Sequence, residues 1–388
     1  MDSPYDGETT AGRGAVPDLT EAGERHIDVR LLARTRASRG YMEPLPGGRV
    51  LLSRTPVTPG GTWRLEVHER ESLLRGEVFL LGRSQPLSSL TLPSPSAWPV
   101  PDGSFVVTDG TTVWSVAADG SRHWQLTDEL RPVGAEWFRV RGTPSVSPDG
   151  SLVAVVVSMP VTERSEPSAP VSFVHDGPQP SPSSSDVLLL LDTTSGEVLQ
   201  RLAVAVESVD SRLLWHPDGA LLAVSCWGLW HSWTTHWFEV RRNALHRLGG
   251  MTMGEAAAFV PGSSRLLTVR RAEGFALDDD VNALASYDTL TSERLAHVDH
   301  GKLLIAPDSV QYADLHPLDA TRVILESSRL LGDSSRWESV HWLCDADSLL
   351  PLGRLRYPQG PVPPVVRPLG DGTWLTRQGS RVHHWSLS

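Results

Sequence analysis

The sequence predicts an all-β chain folded as a seven-bladed β-propeller, and three observations predict it. An apolar stretch turns at a Pro/Gly/Asp signal and resumes as a second apolar run at Pro46-Gly47-Gly48, Pro101-Asp102-Gly103, Pro148-Asp149-Gly150, Pro217-Asp218-Gly219, Pro261-Gly262-Ser263, Pro317-Leu318-Asp319 and Pro368-Leu369-Gly370. Measured between prolines 46, 101, 148, 217, 261, 317 and 368, the signals lie 44 to 69 residues apart. Periods near this length, with several short strands and Gly-rich turns in each, mark propeller blades rather than helical solenoids. Second, most repeats carry a further hairpin with its own polar turn. Third, the last repeat is short of one strand, which the start of the chain can supply.

Within each repeat the Pro signal sits between strands a and b, and an Asp signal sits between strands c and d. The segment Leu188 to Leu202 shows the second hairpin best, turning at Asp192-Thr193-Thr194-Ser195-Gly196. Ala285 to Leu295 turns at Asp288, Trp342 to Leu350 at Asp345, and Trp114 to Gly120 at Asp119. Aspartate and serine suit these turns because their side chains bond nearby backbone N–H groups, and glycine accepts positive φ. The seventh repeat offers Gly372 to Arg377 and Arg381 to Trp385 and then stops at Ser388. A bare sheet edge invites strand addition, so the segment from His26 to Ala33 is expected to close the ring as the missing outer strand. Residues 1–23, rich in Gly, Thr, Asp and Glu, are then a mobile tail, and 24–388 form one propeller domain. The Pro- and Ser-rich stretch at about 161–185 reads as a disordered loop.

Ser147-Pro148-Asp149-Gly150 and His216-Pro217-Asp218-Gly219, each followed by an apolar strand, resemble the repeats of the WD40-like (Pro-Asp-Gly, TolB-like) β-propeller family. The resemblance covers roughly residues 26 to 388. It implies blades and not a function, and the Gly-His and Trp-Asp dipeptides of eukaryotic WD repeats are mostly absent, which leaves the subfamily open.

Length alone would allow two or three domains, yet no linker divides the repeats. Hydrophobic residues make up 40% of the chain, enough for cores between radially packed sheets. No apolar run reaches the roughly 18 residues of a spanning helix, and the amino terminus lacks the basic and apolar pattern of a signal peptide, so no membrane is expected. Cys226 and Cys344 fall in the fourth and sixth repeats and read as buried thiols in a reducing cytoplasm. A net charge of −11 speaks against a nucleic-acid partner, since phosphate contacts need a dense positive surface.

Propeller topology converts loop length into a functional reading. The a–b turns are tight, whereas the b–c connections insert about Pro160 to Asp186, Trp227 to Thr235, Arg271 to Asn282 and Ser328 to Ser339. Loops on a rigid scaffold carry binding, so the b–c face is the expected working face. Within it, Trp227, Trp230, His231, Trp233 and His236 crowd into ten residues, and Arg271 and Trp337 lie in neighbouring insertions. Exposed indoles anchor interfaces because they bury a large apolar area while the N–H still finds a partner. The bland alternative packs these rings between blades, and Trp237 reads as core. His231 and His236, five apart with no third ligand nearby, do not read as a metal site, and Asp278-Asp279-Asp280 with Glu273 reads as a solvated loop rather than a calcium site.

The inner strands offer Glu43, Glu255 and Asp314, with Arg141, Arg212 and Arg367, as channel candidates. No nucleophile elbow, phosphate-binding glycine loop or His-Glu-x-x-His pattern accompanies them. The sequence therefore predicts a non-catalytic scaffold that binds a protein partner on the b–c face, without cofactor or metal. The alternatives are a channel-mouth hydrolase or lyase and a small-molecule or sugar sensor using the tryptophans.

Overall fold

The computed structural model describes residues 25–36, 42–45, 47–54, 63–74, 86–92, 97–108, 112–126, 139–160, 184–206, 208–228, 233–269, 283–299, 311–330, 337–358, 362–363, 365–378 and 381–388. Strand β1 (His26–Arg36) comes first. The first sheet orders β2 (Met42–Leu45), β3 (Arg49–Arg54), β4 (Trp63–Glu69) and β5 (Ser88–Leu92) side by side, with helix α1 (Arg70–Leu74) between the last two. The second holds β6 (Ala97–Pro99), β7 (Phe105–Thr108), β8 (Val113–Val116) and β9 (Arg122–Leu126), and the third β10 (Arg139–Val146), β11 (Leu152–Pro160), β12 (Ser184–Asp192) and β13 (Val198–Val206). The fourth holds β14 (Ser208–Trp215), β15 (Leu221–Gly228), β16 (Trp233–Arg241) and β17 (Ala244–Thr252), and the fifth β18 (Glu255–Phe259), β19 (Arg265–Val269), β20 (Ala283–Asp288) and β21 (Arg294–Asp299). An eight-stranded sheet runs β22 (Gln311–Pro317), β23 (Arg322–Leu330), β24 (Trp337–Asp345), β25 (Pro351–Arg356), β1, β28 (Arg381–Leu387), β27 (Thr373–Gln378) and β26 (Val366–Pro368).

Apolar clusters lie between consecutive sheets and return to their start. Leu51 and Leu65 pack on Phe105 and Val107, Val106 and Val113 on Val153 and Val155, and Ala154 and Leu188 on Leu222 and Phe238. Ala223 and Trp237 meet Ala256 and Leu266, and Leu267 and Leu284 meet Leu325 and Trp342. Ile324 and Leu343 meet Trp374 and Trp385, and Leu375 and Val382 close the circuit on Val50 and Leu52. Sheets succeeding one another around a closed ring make a β-propeller. Because a central strand faces a neighbour on both sides, its apolar residues run on without alternation, as in Leu152 to Val157 and Leu188 to Leu191, all buried.

The a–b signals form tight turns, and their aspartates act as expected. Asp102 accepts the backbone N–H of Ser104 (2.8 Å), Asp149 that of Ser151 (3.0 Å), Asp218 that of Ala220 (2.8 Å) and Asp319 that of Thr321 (2.8 Å). The c–d turns repeat the device at Asp119, Asp192, Asp288 and Asp345. Each side chain thus satisfies a donor that the sharp turn leaves outside the ladder.

The N-terminal strand closes the ring, as expected, and does more. Val29 to Arg36 run antiparallel to β28, from Val29 opposite Leu387 to Arg36 opposite Arg381. The preceding residues His26, Ile27 and Asp28 pair in parallel with Arg354, Leu355 and Arg356 of β25. One strand therefore covers two edges, those of β28 and β25. Gly353 permits this approach: a Cβ there would lie 2.8 Å from the Arg25 carbonyl oxygen and 3.0 Å from the Ile27 side chain.

Three features depart from the sequence reading. The inserted b–c segments begin as longer strands: β11 and β12 stay paired out to Pro160 opposite Ser184, and β23 and β24 out to Leu330 opposite Trp337. The first sheet's c–d connection carries α1, which no turn signal announced. Ser184 and Ser185, placed in the expected 161–185 loop, belong to β12. The expected tail at 1–23 and residues 161–183 lie outside the described residues, as do Glu273 and Asp278 to Asp280.

Candidate functional site

A cavity of about 890 Å³ follows the axis of the ring, lined by the inner strands of its sheets. Four carboxylates, Glu43, Asp210, Glu255 and Asp314, and two arginines, Arg212 and Arg367, line it. Arg212 of β14 places Nη1 2.9 Å from Oε1 of Glu255 and 3.8 Å from Oδ2 of Asp314, and its Nη2 donates to the Ala257 carbonyl at 3.2 Å. A single guanidinium thereby ties β14, β18 and β22. Arg367 of β26 donates through Nε to Oε2 of Glu43 at 2.9 Å and to the Met42 carbonyl at 3.3 Å, joining β26 to β2. The three channel carboxylates expected from sequence thus share one cavity, and two of the three candidate arginines bind them. Arg141 lies on β10 at a register shift, and its side chain is outside the described set.

Glu255 is 4% exposed, which would be costly for a carboxylate without a partner. Its position follows from hydroxyls that bind the fourth sheet to the fifth. The Ala256 N–H donates to Ser225 Oγ at 2.9 Å, Ser225 and Thr235 share a hydrogen bond of 2.7 Å, and Thr235 Oγ1 lies 2.6 Å from the Gly254 carbonyl it donates to. That chain fixes the backbone on both sides of Glu255 and presents its carboxylate to Arg212.

The b–c end of the cavity is lined by Trp227 and Trp233. They are directly opposed in the β15–β16 ladder and stack with centroids 6.2 Å apart and planes 17° from parallel. Asp210 continues the same row on β14, opposite Trp227. Both indoles are partly exposed, as a rim anchor requires. Close approach of the third sheet is set by Gly142, whose φ of +74° and contacts leave no space for a Cβ, which would stand 2.2 Å from the Ser211 carbonyl. Asp210, Trp98 and Trp215 also line the cavity and were not singled out from sequence; their only signal is a position on or beside an inner strand.

The remaining candidates separate. Trp230, His231 and Arg271 lie outside the described residues. Trp337 starts β24, and its side chain is outside the described set. His236 is buried: its Nε2 is 2.8 Å from the Val204 carbonyl, which it donates to, and its Nδ1 accepts from Arg247 Nη2 at 2.8 Å. Burial, with the Arg247 charge adding to it, lowers its pKa to about 4. Trp237 is core, 1% exposed, with Nε1 donating to the Thr289 carbonyl at 3.1 Å. Cys226 and Cys344 are free and buried, with burial pushing both thiols up, Cys344 to about 12. Among the described residues no group of three His, Cys, Asp or Glu side chains is arranged to hold a metal ion, and no helix is long and apolar enough to cross a membrane.

No protein-family model matches the chain, and no curated protein matches it in sequence. Among solved structures, the chain is similar to BBS1N from its complex with ARL6DN at 10% identity, covering 94% of this chain and 98% of that one, with a TM-score of 0.49. It is similar to an oligogalacturonate lyase at 12% identity, with 91% and 90% covered and a TM-score of 0.48. It is also similar to the β-propeller domain of the Trilobed protease from Pyrococcus furiosus at 13% identity, with 90% and 93% covered and a TM-score of 0.43. Likenesses at this level assign neither ligand nor reaction.

Proposed function

We propose that the chain is a non-catalytic binding propeller of seven blades, spanning 24–388 as one domain, that presents its b–c face to a protein partner. The count takes the five four-stranded sheets singly and divides the eight-stranded sheet between β25 and β1; the Ile324 to Trp385 cluster packed between those halves supports the division. The observation that carries the binding role is the stacked, partly exposed pair Trp227 and Trp233 at the b–c rim. A cross-strand pair on a rigid sheet loses little side-chain freedom on binding, so its apolar area is available to a partner at low entropic cost. Trp230, His231, Arg271 and Trp337, on the same connections, are proposed to extend that face, whereas the buried His236 is bonded to Val204 and Arg247. The two buried free thiols support a reducing, cytoplasmic compartment.

The competing reading is a hydrolase or lyase using Glu43, Glu255 and Asp314. The ion pairs weigh against it: Glu255 and Glu43 are each held 2.9 Å from an arginine that ties neighbouring sheets together, a structural use of the carboxylates. The test is partner capture with Trp227→Ala and Trp233→Ala variants whose fold is verified by circular dichroism. Loss of a stoichiometric partner from both variants is the expected outcome. A turnover found in the intact protein and removed by Glu255→Gln would replace this reading with the enzymatic one.

A further inference from the structure

We propose that the partner of the b–c face engages it through an arginine side chain, held between Asp210 and Trp227 at the mouth of the axial cavity. The inference rests on the protein-binding reading of Trp227 and Trp233 and names the chemistry of their occupant. Asp210 reaches its position through a β-bulge. In the β14–β15 ladder Ser208 pairs with Gly228 and Asp210 with Trp227, so the extra residue is Val209. Without the bulge Val209 would stand opposite Trp227, and the indole would have an apolar neighbour in place of a carboxylate. Strand β14 flanks β15 on the side away from β16, so Asp210 and Trp233 lie on opposite sides of Trp227 in one row, and all three line the cavity. Opposed residues bring their Cβ atoms to about 5 Å, which puts carboxylate and indole within reach of a single guanidinium.

The charges select a cation. Glu255 and Asp314 share Arg212, and Glu43 holds Arg367. Asp210 differs: it is exposed, its Oδ1 accepts the neighbouring Ser211 N–H at 2.8 Å, and among the described residues no arginine pairs with it. Four carboxylates against two arginines leave the cavity net negative, which draws cations to its mouth. A partner that covers the stacked indoles also strips water from the adjoining carboxylate, and an apolar partner would leave that charge without compensation. Guanidinium answers both groups at once, because its flat face stacks on an indole while its edge N–H groups fork onto a carboxylate. An ammonium is compact and strongly hydrated and has no flat face to offer the indole. A divalent metal ion is unsuited, since one carboxylate beside indoles is not an oxygen shell.

The test is a random peptide display library selected on the full-length protein, with the affinity of each enriched peptide measured by fluorescence anisotropy. Enriched peptides are expected to share an arginine. Replacing it by citrulline, similar in shape but uncharged, should weaken binding to the parent by about tenfold, the loss expected from a charge-assisted bidentate contact. In the Asp210→Asn variant, which keeps the size of the side chain and its bond from Ser211, the same replacement should change affinity by less than about twofold. A merely destabilised variant would not lose that coupling. Trp227→Ala should weaken every enriched peptide, with near-ultraviolet circular dichroism confirming that both variants are folded. Peptides without an arginine, or a citrulline effect undiminished in Asp210→Asn, overturn the arginine assignment; if Trp227→Ala still weakens those peptides, the protein-binding face stands without it. Peptides indifferent to Trp227→Ala overturn both readings, and an empty selection overturns the arginine assignment.

Discussion

Tyr357 is the hub of a buried polar network at the seam between β24 and β27. Trp374 Nε1 donates to its hydroxyl oxygen at 3.2 Å, and the hydroxyl donates to Nδ1 of His341 at 2.7 Å. His341 must be neutral to accept that bond, and burial, reinforced by the nearby His316, lowers its pKa to about 3. His236 is lowered in the same direction, to about 4. In the unfolded chain both would titrate near 6.5, so below that pH the unfolded state binds more protons and stability falls as pH falls. The expected slope is about 1.4 kcal/mol per pH unit for each histidine. Urea unfolding at pH 7 and pH 5 measures it, and His341→Gln, which removes one titrating group, should flatten the dependence; a free energy unchanged between those pH values would contradict this account. His236 also shows what sequence leaves unread at this scale. Strands packed on both faces do not alternate, so nothing in the residue order separates an inward His236 from the partly exposed Trp233 three positions earlier. Trp237 and the two cysteines were legible because large apolar or thiol side chains in mid-strand are buried whichever face they take.

At the scale of elements, β1 bears the ring closure. Its antiparallel pairing to β28 was legible because the last repeat visibly lacks a strand, while its parallel pairing to β25 was not, since no local pattern encodes a second edge. Gly353→Ala would set a methyl against the Arg25 carbonyl and Ile27 and loosen the parallel part alone. The expected result is faster amide exchange at Arg354, whose N–H donates to the Arg25 carbonyl at 2.8 Å, with exchange along β28 little changed; protection at Arg354 equal to the parent would refute the two-edge clasp. Deleting residues 1–36 should uncover both edges and produce self-association visible by light scattering. The turns were legible because an Asp that binds a backbone N–H two or three residues on is a local device. Helix α1 and the lengthened β11–β12 and β23–β24 pairs were not, because they depend on long-range register.

For the molecule as a whole, the repeat period and the closing strand carried the ring, and the channel acids were legible as inner-strand positions. Their partners became visible only when the ring brought Arg367 of the last sheet to Glu43 of the first, more than three hundred residues apart. The net charge of −11 sets a further expectation: fluorescent duplex DNA at low salt should show no anisotropy change, and saturable binding would point to a concentrated arginine surface instead. The claim that most needs testing is that Trp227 and Trp233 form the anchor of a protein-binding face. Affinity capture from the protein's own cell extract, quantified by mass spectrometry for the parent and for the folded Trp227→Ala, Trp233→Ala double variant, tests it directly. A stoichiometric partner lost by more than tenfold in the variant is the predicted result; a partner recovered undiminished by the variant would contradict it.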